Sequence, residues 1–401
     1  MEENTPKYDY SLLNIIAAIS VSALIYLGNF VSPVVSSISA EYPDVSESAI
    51  KMLTTIPSLM MVVMSLVSGG LTSRYTIKKI VVFASVFALV GGMMPVFWDG
   101  MAVMIASRVI FGIGYGLIFP MASAIVNQLF TRKQRDRLMG IRAGVGALIG
   151  ALFSSVAGVV GMINWRYAFA CTAVVIPIAL LIAWKCPENG LSKSPSKGSE
   201  KVKEKKLTTL TYVIYAGLFI FNMLMVTFVT NLSLVISRDN IGTVAQAGTV
   251  SSVYTVSAFV AGVIFSSVKS KAKRYTTPLA FGLVGIGLAI LYFSHSLPLF
   301  YVGAVFYGLG FGFYNPQLTM VAAQTATKPI YAPIAIAGYT SCVGIGQFLA
   351  SIVLPQVANI LGITSTRSDW LISFVGIGIA VVITTVYITA TGGAEGKKEE
   401  A

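Results

Sequence analysis

Acidic side chains are scarce in this 401-residue chain: sixteen Asp and Glu stand against twenty-eight Lys and Arg. All sixteen lie in tails, in connections or within the first turn or so of an apolar segment, and none sits deep inside one. There is one histidine, His295, in an expected connection, so no histidine metal set or His-based acid–base pair is available. The three cysteines, Cys171, Cys186 and Cys342, show neither a paired framework nor metal-ligand spacing. Two of them lie in apolar runs, where a thiol behaves as a small hydrophobe. Charged residues of both signs make up only 11% of the chain, against about a quarter in soluble domains. These shortages exclude an integral-membrane enzyme, which needs clusters of His, Cys or carboxylate. They leave nothing to hold a metal, and no cofactor is expected.

What is present is apolar: 55% of the residues are hydrophobic and 37 are glycine. A spanning helix needs about 20 mostly apolar residues. Twelve such runs are predicted, at 11–38, 49–70, 79–98, 101–128, 139–161, 165–185, 208–236, 246–268, 276–294, 298–325, 331–358 and 369–390. Internal prolines (Pro33, Pro57, Pro120, Pro316, Pro355) are tolerated where neighbouring helices satisfy the freed backbone. The first run is long and lacks a small-residue cleavage site, which is unlike a signal peptide.

The net charge of +12 does not point to nucleic acid, because the basic residues sit between the apolar runs. They crowd alternate connections: Arg74, Lys78 and Lys79; Arg132 to Arg137; the lysines of 193–206; Lys269 to Arg274; Lys328; and Lys397 and Lys398. The positive-inside rule then places both termini in the cytoplasm of a multi-pass protein of the cytoplasmic (inner) membrane. Residues 187–206 mix Ser, Lys, Glu and Pro without apolar periodicity and read as a cytoplasmic linker. The expected organisation is a six-helix bundle over 1–186, the linker, and a second bundle with a short tail over 207–401.

The halves share a repeated string. Phe111-Gly-Ile-Gly-Tyr-Gly-Leu-Ile-Phe-Pro120 returns 196 residues later as Tyr307-Gly-Leu-Gly-Phe-Gly-Phe-Tyr-Asn-Pro316. No strand precedes these glycines and no Lys-Ser follows, so they do not form a nucleotide loop. Gly112 and Gly116, like Gly308 and Gly312, are four apart on one helical face and allow close packing against a neighbour. Duplication at half-length is the pattern of secondary transporters.

Twelve spans in two halves with a basic linker resemble the major facilitator superfamily, and local motifs carry the same resemblance. Gly69-Gly-Leu71-Thr-Ser73-Arg74-Tyr-Thr76-Ile77-Lys78-Lys79 is similar to the family's signature loop after span 2. Arg108 with Gly112 and Gly114, Arg135 to Gly140, and Asn164-Trp165-Arg166 resemble the family's elements at spans 4, 5 and 6. The chain departs from the signature at its acidic position, which is Ser73, and at Thr76 and Ile77. Ser73 forms no charged latch. A gating role for Gly69, Ser73, Arg74 and Lys78 therefore stands beside simple positive-inside anchoring. Arg142, near the cytoplasmic mouth of span 5, reads as a gate or headgroup contact.

The resemblance implies an all-α membrane fold of two pseudo-symmetric six-helix bundles in which spans 1, 4, 7 and 10 line a cavity, flanked by 2, 5, 8 and 11. The polar and aromatic residues deep in those spans become solute-binding candidates: Tyr26, Asn29, Arg108, Phe111, Tyr115, Asn222, Thr227, Asn231, Tyr254, Tyr314, Asn315, Gln317, Tyr339 and Gln347. Hydrogen bonding between helices accounts equally for any one of them. Arg108 lies roughly 12 Å along span 4 at 1.5 Å per residue. A cation at that depth costs at least ~2.5–3.5 kcal/mol, so it serves either an anionic solute or a clamp on backbone carbonyls. Its counterpart in the second half is Ala304.

The functional expectation is a secondary active carrier working by alternating access as a monomer. With no buried carboxylate, a neutral or anionic amphipathic solute fits better than a cation, unless Asp239 or Asp369 is drawn inward. Efflux is the leading direction. A proton or counter-solute supplies the drive, and the only other partner is the bilayer. Anion uptake or exchange through Arg108, and a channel or scramblase-like pore, are the alternatives.

Overall fold

The computed structural model describes residues 12–72, 74–130, 132–187, 209–327, 332–363 and 365–391. Ser73, nearly all of the expected linker, Lys328 and the C-terminal tail lie outside them. The described residues are helical with no strand, and they divide into two compact units, Met1–Lys203 and Glu204–Ala401. Eleven helical stretches are long and apolar enough to cross a membrane. One of these, Val244–Phe293, is twice the needed length and contains two helices, Val244–Ala272 and Thr276–Phe293, joined at a 3-10 turn over Lys273–Tyr275. Counted that way, the twelve expected spans are present.

Their boundaries follow the hydropathy closely except at span 5, which starts at Arg132 rather than near 139. Arg, Lys and Gln are good helix formers, so the helix continues into a polar segment that apolarity alone cannot reveal.

The first span of each half is broken. Span 1 runs as an α-helix over Leu12–Ile25, turns 3-10 at Tyr26–Phe30 and Ser32–Val34, and resumes at Val35–Glu41. Gly28 and Pro33 supply the flexibility and the missing donor there. Span 7 is α-helical over Thr209–Met225 and again over Thr227–Arg238, with Val226 between. At the 196-residue offset, Val226 corresponds to Phe30. The backbone freed at the second break is satisfied by side chains: Tyr307 donates its hydroxyl to the Met225 carbonyl, and Trp370 Nε1 donates to Thr227 O at 2.9 Å.

The glycine repeat is explained within each half. In span 4 (Met101–Leu129), a Cβ on Gly112 would sit 2.6 Å from Met60, and one on Gly116 2.8 Å from Met61, both in span 2 (Glu47–Leu71). The middle glycine, Gly114, points elsewhere: its Cβ would meet Ala88 N at 2.6 Å in span 3 (Ile77–Phe97). Span 10 (Leu297–Gln324) does the same. Gly308 and Gly312 press on Tyr254, Ser257 and Ala258 of span 8, and Gly310 on Val284 of span 9. Positions two apart on a helix face nearly opposite ways, so three alternate glycines let one helix touch two neighbours at backbone distance.

One end of each half is pinned by an arginine. In the first, Asn164 caps the helix Trp165–Ala170, Trp165 Nε1 donates to Glu41, and Arg166 pairs with Glu41 at 2.9 Å and with Asp99. In the second, Arg367 is 4% exposed. Its Nε donates to Asp239 Oδ2 at 2.6 Å, and its Nη1 reaches the Leu291, Tyr292 and Ser294 carbonyls at the end of span 9. Those carbonyls are the acceptors that a helix C-terminus leaves over. In both halves an acid at the end of the first span meets an arginine just before or at the start of the last.

Candidate functional site

In the N-terminal half, the break in span 1 collects four of the expected residues. Asn29 Nδ2 donates to Gly150 O of span 5 at 3.1 Å. The Tyr26 ring packs where side chains on Gly146 and Gly150 would otherwise be. Tyr26 is also within electrostatic range of Tyr115 on span 4 and of Arg142 on span 5. Arg142 is half-buried and donates through Nη1 to Ser123 Oγ at 2.9 Å, while its Nε is buried with no hydrogen-bond partner among the described residues. Phe111, Tyr115 and Phe119 form an aromatic ladder along span 4. Sequence reasoning grouped Arg142 with the gate; the structure sets it beside Tyr26.

Arg108 is 2% exposed and enclosed within its own half. Its Nε donates to Ser107 Oγ at 3.2 Å, its Nη2 donates to Gly91 O at 3.2 Å, and its guanidinium lies over Phe111 and Phe169 at 5.1 and 4.7 Å. Gly91 is four residues before Pro95, which lies inside the span 3 helix. A proline has no N–H to give the carbonyl four residues back, so Arg108 supplies the donor that the helix lacks.

In the C-terminal half, Asn222 Nδ2 donates to Leu218 O at 2.7 Å and to the Tyr314 hydroxyl, and the Tyr339 hydroxyl bonds with Tyr314 and Thr319. Spans 7, 10 and 11 (Ala332–Ile360) therefore meet through one amide and two phenols. An aromatic cluster adjoins: Phe228 stacks on Tyr307 at 4.5 Å, and Tyr254 packs against Phe228, Tyr307 and Phe311. Phe228, Tyr307 and Trp370 were missed as site-forming residues. Tyr307 was legible only as part of the repeat, and nothing in the sequence signals that it bonds a carbonyl.

Asn231 and Thr227 lie at the second break, where Asn231 Nδ2 donates to Thr227 O at 3.1 Å. Asn231 donates to Asp369 Oδ2 at 3.2 Å, and Asp369 is 3% exposed in the first turn of span 12 (Ser368–Thr391). Of the two acids left open by the sequence, Asp239 is paired with Arg367 and Asp369 is buried. Thr227 bonds Leu224 O and Ser373. Asn315 is exposed and Gln347 half-buried. Gln317 turns toward Thr277 of span 9, with Nε2 donating at 3.3 Å. Around the loop after span 2, Gly69 at the end of span 2 and Arg74 in the loop are exposed, and Lys78 in the first turn of span 3 is half-buried, within electrostatic range of Cys186.

A family model described as the Major Facilitator Superfamily matches residues 17–351 and 214–400. The chain belongs to that superfamily. It is therefore a multi-pass membrane protein of that superfamily. Among characterised relatives, it is 26% identical over 219 residues to the multidrug efflux pump SdrM of Staphylococcus aureus (strain N315), covering 51% of this chain and 46% of that one. It is 28% identical over 106 residues to the multidrug transporter protein MdtP of Bacillus subtilis (strain 168), covering 26% and 19%. These matches span less than half the length of either relative. Its fold is similar to that of the nucleoside transporter NupG (D323A mutant), with a TM-score of 0.78 at 14% identity over 94% of this chain and 99% of that one. It is likewise similar to a peptide transporter POT in complex with sulfate, with a TM-score of 0.73 at 13% identity over 98% and 95%. At such identities the structural likeness speaks for the fold alone.

Proposed function

We propose that this superfamily member is a secondary active carrier that exports a neutral or anionic amphipathic organic solute by alternating movement of its halves. It acts as a monomer in the cytoplasmic membrane with both termini inside. The carrying observation is the chemistry at the two helix breaks. Each half assembles amides and phenols there, the Asp369 carboxylate beside the second break is held by Asn231, and the first half adds the half-buried Arg142, whose Nε has no hydrogen-bond partner among the described residues. Interrupted helices at matched positions of a repeat are where transporters of this kind place their solutes. The relative SdrM is a multidrug efflux pump, which supports the direction.

Arg108 serves in this reading as a helix clamp, and Arg142 as the cation that faces an anionic group. A thermal-shift screen of neutral, anionic and cationic amphiphiles on the purified protein tests the assignment, since a bound ligand raises the melting temperature by mass action. Hits among the anions that vanish in Arg142→Gln and persist in Arg108→Met support it; hits confined to cations overturn it. Saturable counterflow in proteoliposomes, stopped by crosslinking spans 5 and 8, separates a carrier from a pore.

A second reading rests on Asp369. A buried carboxylate bonded to Asn231 is a place to hold a coupling proton. Transport by Asp369→Asn that loses its dependence on a proton gradient while keeping solute exchange supports that coupling.

A further inference from the structure

Away from the helix breaks, the C-terminal half has a trough between spans 7, 9, 10 and 12, enclosing about 650 Å³. That lies within the roughly 300–1,000 Å³ of small-molecule sites. Its walls are apolar, with Leu218, Phe221 and Leu224 of span 7 facing Ile379, Ala380 and Ile383 of span 12. Several wall residues are also broadly exposed at the rim, among them Ile220 at 51% and Ile383 at 61%.

A few polar side chains interrupt the apolar wall. Arg274, Thr277, Gln317 and Gln324 line it together with the hydroxyl-bearing Thr384 and Tyr387 of span 12, and Arg274 closes a basic turn with Lys269, Lys271 and Lys273. Gln317 is the informative group. It is 3% exposed, its Nε2 is used on Thr277, and its Oε1 has no hydrogen-bond partner among the described residues. A buried amide oxygen without a donor is costly, so the site calls for an occupant that brings an O–H or N–H to this point.

The trough's length fixes the class of occupant. Between Gly376 and Ile388 it follows span 12 for about 18 Å at 1.5 Å per residue. The hydrocarbon core is about 30 Å thick, so the trough is about one leaflet deep. An occupant that is one leaflet long, opens sideways to the bilayer, is anionic beside Arg274 and donates to Gln317 is a phospholipid. We propose that this trough binds one anionic phospholipid with a hydroxyl-bearing headgroup, of the phosphatidylglycerol type, from the leaflet facing the Lys269–Arg274 turn. By the orientation proposed above, that is the inner leaflet. Phosphatidylcholine has the chains but neither a headgroup donor nor net charge, and glycerol 1-phosphate has the headgroup without the chains.

The test uses the full chain purified in neutral detergent, with those three compounds as probes, the two lipids having identical acyl chains. Native mass spectrometry counts adducts, and thermal unfolding is followed against probe concentration. Phosphatidylglycerol should give a single saturable adduct and a melting temperature that rises with concentration. Arg274→Gln, an exposed position, should weaken that binding about tenfold and leave phosphatidylcholine unchanged. Ala380→Phe should block both lipids, and Ile383→Phe, at a more exposed wall position, does the same where Ala380→Phe fails to fold. Gln317→Leu should reduce the preference for phosphatidylglycerol without abolishing it. Equal binding of the two lipids, an equal shift with glycerol 1-phosphate, or adducts indifferent to Arg274→Gln and both wall variants would each overturn the proposal. None of these readouts depends on which solute the protein carries.

Discussion

Removing Arg108 should be tolerated better when Pro95 is removed with it. Arg108 Nη2 donates to Gly91 O at 3.2 Å, and Pro95 is the residue whose absent N–H leaves that carbonyl open. Arg108→Met forfeits its hydrogen bonds to Ser107 Oγ and Gly91 O, the one to the otherwise orphaned carbonyl being worth about 1.5–3 kcal/mol. It also forfeits the two ring contacts, about 0.5–2 kcal/mol together. Relief from keeping a guanidinium out of water offsets part of this, so a net loss of about 2 kcal/mol is expected. Part of the loss is the orphaned Gly91 carbonyl, which lipid cannot hydrate. With Ala at position 95 the helix supplies its own donor, and that part disappears. The double-mutant cycle of Arg108→Met and Pro95→Ala, followed by unfolding of the purified protein in detergent, should give a coupling energy of about 1–2 kcal/mol in the direction of rescue. Independent sites add to within roughly 0.3–0.5 kcal/mol. Additivity at that level refutes the proline-clamp argument. If Arg108→Met also unfolds like the parent but loses binding of an anionic solute, the arginine belongs to the solute instead.

Three further outcomes are expected. Gly308→Ala would place a Cβ 2.5 Å from Tyr254 O and should cost about 1–3 kcal/mol by overpacking, whereas Gly282→Ala, with nothing within 4 Å, should be near neutral in the same unfolding assay. Arg367→Ala strands Asp239 and the carbonyls at the end of span 9 and should destabilise by about 3–5 kcal/mol; a change under 1 kcal/mol contradicts that pinning role. Burial pushes the Cys186 thiol up to about 11, with the nearby Lys78 pulling the other way. A raised thiol holds less thiolate at every pH below it, so maleimide labelling of Cys186 should lag a free cysteine at pH 8 and climb only as pH approaches 11. Labelling at the free rate at pH 8 would show the site to be open.

The spans were legible because each is a long run of one solvent preference, and hydropathy reports that directly. The glycine string was legible as packing, but only half of its meaning was available. The four-residue spacing of Gly112 and Gly116 is a one-face signal, while Gly114 has a partner on another helix that no local pattern encodes. The helix breaks were less visible still. Gly28 and Pro33 hint at the first, yet Val226 is an ordinary helix residue, and its break rests on Tyr307 and Trp370, which are distant in sequence. Asn315 and Gln317 illustrate the converse limit: depth in a span is readable from sequence, but the direction a side chain takes is set by the rotation of its helix in the bundle.

Arg108 and Arg142 show how that limit changes a functional argument. From sequence, Arg108 is the conspicuous cation because it is deep, and Arg142 is unremarkable because it is near an end. Depth measures the cost of a charge, and a high cost implies a partner without saying whether the partner is solute or protein. The structure supplies the missing term. Arg108 is met by a proline-freed carbonyl, a serine and two rings inside one half, whereas Arg142, beside Tyr26, keeps a buried Nε with no hydrogen-bond partner among the described residues. In a membrane, the charge that binds solute is the one whose own fold has not already answered it. By that criterion Arg142→Gln should lower affinity for an anionic solute with little change in unfolding, and Arg108→Met should do the reverse.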